Sequence, residues 1–142
     1  MRQKHLINIF IYDNSRTHRL KLNNIIRNYA EEKDIELTAV LSTTHLDEIF
    51  NRSFLKSWIY FLNIDDLEKK MDGIEFAARV RNHDLYGSIV FLTGHDIFAD
   101  GHSDLARRSL KSHVVAMAFL SEDSAEFEKE IRECIAAHIR KI

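Results

Sequence analysis

Polar side chains follow the short apolar runs of this chain at the points where those runs end. Asp13 follows the first run, Asn63 the third, Thr93 the fourth and Glu122 the fifth. Mg²⁺ prefers hard oxygen ligands and usually takes one or two carboxylates, whereas an amide oxygen is a poor nucleophile. Asp13 beside an amide is therefore a poor magnesium site. Two interpretations of Glu122 stay open: a second carboxylate of a weak cation site, or, as we favour, an acceptor of hydrogen bonds from Thr93 or Asn63.

Other residue types that can do chemistry give weaker signals. The single cysteine, Cys134, excludes an intramolecular disulfide and is expected to be a small buried apolar side chain. No G-x-S-x-G elbow, P-loop or G-x-G-x-x-G is present, so the sequence supports neither a serine hydrolase nor a nucleotide site. The histidines are scattered, without a close pair at helical ligand spacing, and we expect nearly all of them at surface or capping positions. They are His5, His18, His45, His83, His95, His102, His113 and His138.

The elements that must position these residues alternate regularly along the chain. Continuous apolar runs are typical of strands buried on both faces, and apolar residues three to four apart are typical of helices that cover a sheet. Strands are predicted over 6–12, 35–41, 58–62, 88–92 and 114–120. Helices are predicted after Ser15, from an N-cap at Ser42 to Phe50, from Gly73, in the later part of 95–110, and over 125–140.

Five strand–helix pairs in strict alternation predict an α/β fold. We expect a flavodoxin-like (CheY-like), doubly wound, five-stranded parallel sheet of order 2-1-3-4-5 with five helices. Length and composition fit one domain over residues 1–142. In such sheets the functional crevice lies at the carboxyl ends of the strands, so Asp13, Asn63, Thr93 and Glu122 are expected to converge there.

Charge and hydropathy restrict the partners. The formal net charge of −2 predicts no overall attraction to nucleic acid or to an anionic membrane. The apolar run near the N-terminus is too short for a signal peptide or a membrane span. One free thiol fits a reducing compartment. We therefore expect a cytoplasmic domain that does not itself bind nucleic acid or enter a membrane.

Several motifs, in order along nearly the whole chain, resemble a known family. They are Tyr60-Phe-Leu-Asn-Ile64, Asp72-Gly-Ile-Glu75, Val80-Arg-Asn-His-Asp-Leu-Tyr-Gly-Ser-Ile-Val-Phe-Leu-Thr-Gly-His95 and Ala116-Met-Ala-Phe119. Together they look like the receiver domains of LytTR-type (AgrA/ComE-like) response regulators, which serve two-component signalling and quorum sensing. The resemblance implies a phosphoryl-acceptor carboxylate after strand three, two acidic residues for Mg²⁺ after strand one, a Thr or Ser after strand four, and a Lys after strand five.

The chain departs from that pattern at three of the five positions. The acceptor position is Asn63, the first acidic position is Tyr12, and the lysine position is Glu122, which reverses the charge. Asp13 and Thr93 match. Phe119 matches the aromatic switch position of the family. We expect no catalytic residue and no cofactor, with Mg²⁺ binding weak or absent and only Asp13 and Glu122 as weak metal candidates.

The resemblance also implies partners. Receivers of this family commonly pair through the face made by the fourth helix, the fifth strand and the fifth helix. The predicted fourth helix carries the basic cluster Arg107, Arg108 and Lys111. A cluster of this kind is usually a solvated face, whereas the resemblance implies that it forms part of an interface. A homodimer is the expected assembly. Regulators of the family carry a DNA-binding domain after the receiver, so ending at Ile142 leaves a truncated receiver and a free-standing one both open.

Three functions stay in competition at this point. The leading one is a degenerate, phosphorylation-independent receiver that acts by protein–protein contact as part of a transcription regulator. The first alternative is a conventional phosphorylation switch whose natural residue at position 63 is Asp, so that Asn63 marks an inactive variant. The second alternative is a flavodoxin-like domain that binds a small ligand, for which the strand ends offer few converging polar groups.

Overall fold

The structure, a computed structural model, describes residues 6–13, 15–43, 58–63, 73–84, 87–93 and 118–141. Five strands lie in this part of the chain: β1 (Leu6–Tyr12), β2 (Glu36–Thr43), β3 (Ile59–Asn63), β4 (Ser88–Thr93) and β5 (Ala118–Ser121). Three helices lie there too: α1 (Arg16–Glu32), α2 (Gly73–His83) and α3 (Phe127–Lys141). The predicted fourth helix, with Arg107, Arg108 and Lys111, lies outside the described residues.

The five strands form one parallel sheet of order β2-β1-β3-β4-β5, which confirms the predicted topology. The register places Tyr12 beside Leu62, Asn63 beside Leu92, and Thr93 beside Ser121. The ends of β1, β3, β4 and β5 are therefore level. Side chains that follow these strands meet at one edge of the sheet, which we call the carboxyl edge.

Helices cover both faces of the sheet. On one face, alternate residues of β1 pack with α1 and α3 in a single apolar cluster, whose members include Ile7, Ile9, Ile11, Leu22, Ile26, Ile131 and Ile135. On the other face, Phe10 stacks on Phe76 of α2, with ring centroids 5.4 Å apart. Because successive strand residues point to opposite faces, the strands read as continuous apolar runs.

The opposite, amino-terminal edge of the sheet is organised by a buried carboxylate. Oδ2 of Asp84 accepts hydrogen bonds from the backbone N–H of Trp58 (3.0 Å) and from the hydroxyl of Tyr60 (2.9 Å). Burial and the nearby Asp84 raise the pKa of Tyr60, so its hydroxyl stays a donor. A Cβ at Gly87 would lie 2.6 Å from Asp84 Oδ2, so this turn needs glycine.

Two predicted boundaries differ from the structure by two residues, and others by one. Ladder pairing with β1 continues to Thr43, so Ser42 lies inside β2, and its prediction as an N-cap is wrong. Helix α3 begins at Phe127, two residues later than predicted, because a turn closed by the Phe127 N–H and the Ser124 carbonyl precedes it. Among the described helices, none is long and apolar enough to cross a membrane.

Candidate functional site

The carboxyl edge brings together four polar side chains that the sequence placed after strands. Asp13, Asn63, Thr93 and Glu122 are 3%, 8%, 2% and 6% exposed, so all four are buried. The backbone N–H of Glu122 donates to the carbonyl of Thr93 (2.7 Å), which fixes the chain after β5 against the end of β4. The expected convergence is confirmed, and it forms a polar site below the surface.

The amide of Asn63 bridges two carboxylates from distant parts of the chain. Its Nδ2 donates to Oε1 of Glu122 at 2.7 Å and lies 3.4 Å from Oδ2 of Asp13. The favoured interpretation of Glu122, as an acceptor of a hydrogen bond from Asn63, is confirmed. The side-chain NH₂ of Asn63 can only donate hydrogen bonds, and here it faces a carboxylate oxygen of Glu122 and one of Asp13.

A fifth functional group, the imidazole of His18, comes from the first turn of α1. Nδ1 of His18 lies 2.6 Å from Oε2 of Glu122 and 3.6 Å from Oδ2 of Asp13. A surface or capping position, which is the expectation for nearly all histidines of this chain, does not account for these two contacts of His18. The side chain is 38% exposed, so it lies between the buried carboxylates and the solvent.

The start of α1 explains why His18 reaches this position. Ser15 is the N-cap, and its hydroxyl accepts from the backbone N–H of His18 (3.3 Å). The Ser15 N–H in turn donates to Oδ1 of Asp13 (2.8 Å). These two bonds tie the end of β1 to the first turn of α1. Ser15 is recognisable in the sequence as an N-cap. Because an N-cap serine bonds the backbone of the residue three positions later, it could have indicated that His18 lies near the carboxyl edge.

The three ionisable groups of the site are arranged like ligands. One ligand atom from each of Asp13, His18 and Glu122 lies within 4.8 Å of the other two. The nearest N–H donor to each carboxylate is that of Ser15 on Oδ1 of Asp13 and that of Asn63 on Oε1 of Glu122, and Asn63 also makes the longer contact to Oδ2 of Asp13. The other oxygen of each carboxylate is the one nearest to the His18 imidazole.

Two further predicted site residues are Tyr12, whose side chain the structure describes, and Phe119, of which it describes only the backbone. Tyr12 is 1% exposed and, by alternation along β1, shares the face of Phe10 rather than that of Ile11. Phe119 lies in β5, paired with Phe91, and its side chain is outside the described residues. The roles assigned to Tyr12 and Phe119 by resemblance remain predictions.

The known proteins with sequences similar to this chain are gene regulators by name. No protein-family model matches the sequence. Accessory gene regulator protein A of Staphylococcus epidermidis is 35% identical over 138 residues, which cover 93% of this chain and 54% of the relative. The chain thus spans about half the length of the curated relatives it matches.

Solved structures show the same fold at low identity. A response regulator receiver domain protein from Clostridium thermocellum superposes with a TM-score of 0.64 at 17% identity, covering 95% of each chain. The crystal structure of an adenylate cyclase from Rhodopirellula baltica superposes with a TM-score of 0.63 at 18% identity, covering 94% of this chain and 87% of that one. Such likeness supports the fold alone. This chain is homologous to the accessory gene regulator A proteins over about half of their length, and its fold is that of response regulator receiver domains.

Proposed function

We propose that this chain is a pseudo-receiver, which acts by protein–protein contact and independently of phosphorylation. The observation that carries the proposal is the hydrogen bond from Asn63 to Glu122. Phosphorylation of a receiver needs a carboxylate oxygen that attacks phosphorus and forms an acyl phosphate. The amide at position 63 has no such oxygen, and its nitrogen is engaged with a buried carboxylate.

Glu122 supports the proposal independently of the nucleophile. Phosphoryl transfer gathers negative charge on the transferring group, and a cation beside it offsets that charge. Glu122 is 6% exposed and its Oε1 lies 2.7 Å from the amide of Asn63, so a negative charge stands beside the acceptor position. Restoring the nucleophile alone leaves this repulsion in place. In the same proposal, magnesium binding at the site is weak or absent.

The test is incubation of the full chain with acetyl phosphate and Mg²⁺, read by intact mass. We expect no acid-labile phosphoryl adduct on the natural sequence and none on Asn63→Asp. The receiver of the Staphylococcus epidermidis relative, treated in parallel, controls for the activity of the donor. A stoichiometric adduct on the natural chain contradicts the proposal. Efficient phosphorylation of Asn63→Asp favours the alternative, a conventional switch with Asp as the natural residue.

The wider role is proposed from the relatives. Accessory gene regulator protein A is about twice as long as the matched region, and its name describes a regulator. We place this receiver in a cytoplasmic transcription regulator of two-component, quorum-sensing type, with DNA binding by a separate domain. In this proposal the receiver pairs with a second copy through the face that carries Arg107, Arg108 and Lys111, and it catalyses no reaction.

A further inference from the structure

We propose that Asp13, His18 and Glu122 form a binding site for a divalent transition-metal ion of the zinc class. The ligand set differs from the magnesium site that the receiver resemblance implies, because only Asp13 belongs to both. His18 comes from the first turn of α1, and Glu122 stands where the family has a lysine. The inference goes beyond the pseudo-receiver proposal and does not depend on it.

The distances between the ligand atoms suit a small ion. Ligand atoms bound at about 2.0–2.2 Å to a tetrahedral zinc ion lie roughly 3.4 Å from one another. Nδ1 of His18 lies 2.6 Å from Glu122 Oε2 and 3.6 Å from Asp13 Oδ2, and the ligand atoms all lie within 4.8 Å of one another. The two distances from Nδ1 of His18 therefore differ from the tetrahedral separation by less than about 1 Å.

The surroundings orient two of the ligands in advance. Ser15 N–H holds Oδ1 of Asp13, and Asn63 Nδ2 holds Oε1 of Glu122, while the partner oxygens face the imidazole. Groups that hold ligands from outside in this way restrict their rotation and strengthen metal binding. Asn63, a poor phosphoryl acceptor, is well suited to this positioning role.

The chemistry of the donors selects the class of ion. A neutral imidazole nitrogen with two carboxylate oxygens suits Zn²⁺ and related transition ions, whereas Mg²⁺ prefers oxygen ligands and keeps several waters. Two carboxylates with side chains only 4% exposed repel each other, and a dication between them offsets that repulsion. His18 at 38% exposure gives the ion a route from solvent and leaves a coordination position for water.

The test is titration of the metal-free full chain with Zn²⁺ by calorimetry, in competition with a chelator of known affinity. We expect one ion per chain. His18→Gln and Glu122→Gln should each weaken binding by about tenfold or more, as losses of ligands do. His83→Gln, which removes one imidazole at the last residue of α2, next to Asp84 at the opposite edge of the sheet, is the matched control and should change the affinity by less than about twofold. Circular dichroism checks that each variant keeps its fold.

Co²⁺ supplies a second readout that reports on geometry. In place of Zn²⁺ it should give the intense visible absorption of a four-coordinate site, and His18→Gln should remove that absorption. Three results would overturn the proposal. They are zinc binding that His18→Gln leaves unchanged, displacement of Zn²⁺ by Mg²⁺ at equal concentration, and the absence of stoichiometric zinc binding. The outcome of the zinc titration does not determine the outcome of the acetyl phosphate assay, so either proposal can fail while the other stands.

Discussion

Single residues decide the chemistry at the carboxyl edge. In an active receiver the resemblance implies an acidic acceptor beside a basic residue, and here Asn63 donates to Glu122. The polarity of the contact is reversed: the acceptor position donates and the lysine position accepts. We therefore expect that a single substitution does not restore the chemistry that the resemblance implies. By the same resemblance, the buried aromatic residue Tyr12 replaces the first acidic residue, so a carboxylate is expected to be missing as well.

Cys134 gives a residue-scale prediction about pH. Burial, with smaller contributions from Glu130 and Glu133, raises the pKa of Cys134 from 9.0 to about 11. The unfolded chain loses this proton first as the pH rises, so the folded state loses stability between about pH 9 and pH 11. The effect of this residue is about 2–3 kcal/mol at most.

Urea unfolding at about pH 8 and about pH 10.5 checks this prediction, with Cys134→Ala as the comparison. The natural chain should lose more stability over this interval than the variant does, because tyrosines and lysines titrate equally in both. Equal losses in the two proteins would contradict the pKa shift. Alkylation of the thiol at the lower pH should be slow until urea exposes it.

At the scale of elements, a buried polar pair attaches α3 to the sheet. Nδ1 of His138 lies 2.6 Å from Oγ of Ser88 at the start of β4, and the two residues are 0% and 1% exposed. His138 is fully buried, so the surface or capping position expected for nearly all histidines is wrong for this residue. An imidazole can lie in the apolar stripe of α3 because the hydroxyl of Ser88 gives its Nδ1 a hydrogen-bond partner inside the core.

Replacement of His138 by alanine should therefore destabilise the fold by about 2–4 kcal/mol, since it leaves a cavity and a buried hydroxyl without this partner. Urea unfolding measures the loss, and Arg140→Ala, on the exposed part of the same helix, is the control. A double-mutant cycle with Ser88→Ala isolates the pair itself. A loss equal to that of Arg140→Ala would show that the contact contributes little.

The elements were more predictable than the site, for physical reasons. Alternating apolar and amphipathic segments gave the strand order and placed Asp13, Asn63 and Glu122 at one edge, because parallel strands end together. His18 and His138 were missed since their roles come from contacts with residues far away along the chain. Glu122 lies 104 positions from His18, by their numbers, and no local pattern connects them. The end of β2 and the start of α3 lie two residues later than predicted. Pairing with β1 determines the first boundary, and the turn before Phe127 determines the second.

At the scale of the whole molecule, the prediction concerns assembly. The basic cluster lies outside the described residues, whereas α3 exposes Glu128 and the turn before it exposes Glu126. In our proposed homodimer, opposite charges of two copies meet across this face. Arg107→Glu with Arg108→Glu should convert the dimer into a monomer.

Light scattering of the full chain, over a range of concentrations, measures this change. Arg16→Glu, at an exposed position of α1, is the matched charge reversal and should leave the dimer intact. A monomer before and after the double substitution would remove the proposed interface. Dissociation by Arg16→Glu as well would show that overall charge, rather than this face, controls assembly.

The buried start of β3 has an optical consequence. Trp58 is the only tryptophan of the chain, is 5% exposed, and donates its backbone N–H to Asp84. It stands at the opposite end of β3 from Asn63, about 17 Å away along the strand. We therefore expect its fluorescence to report whether the centre of the sheet has opened. The chain thus carries a built-in indicator of unfolding that is separate in space from the site it helps to hold.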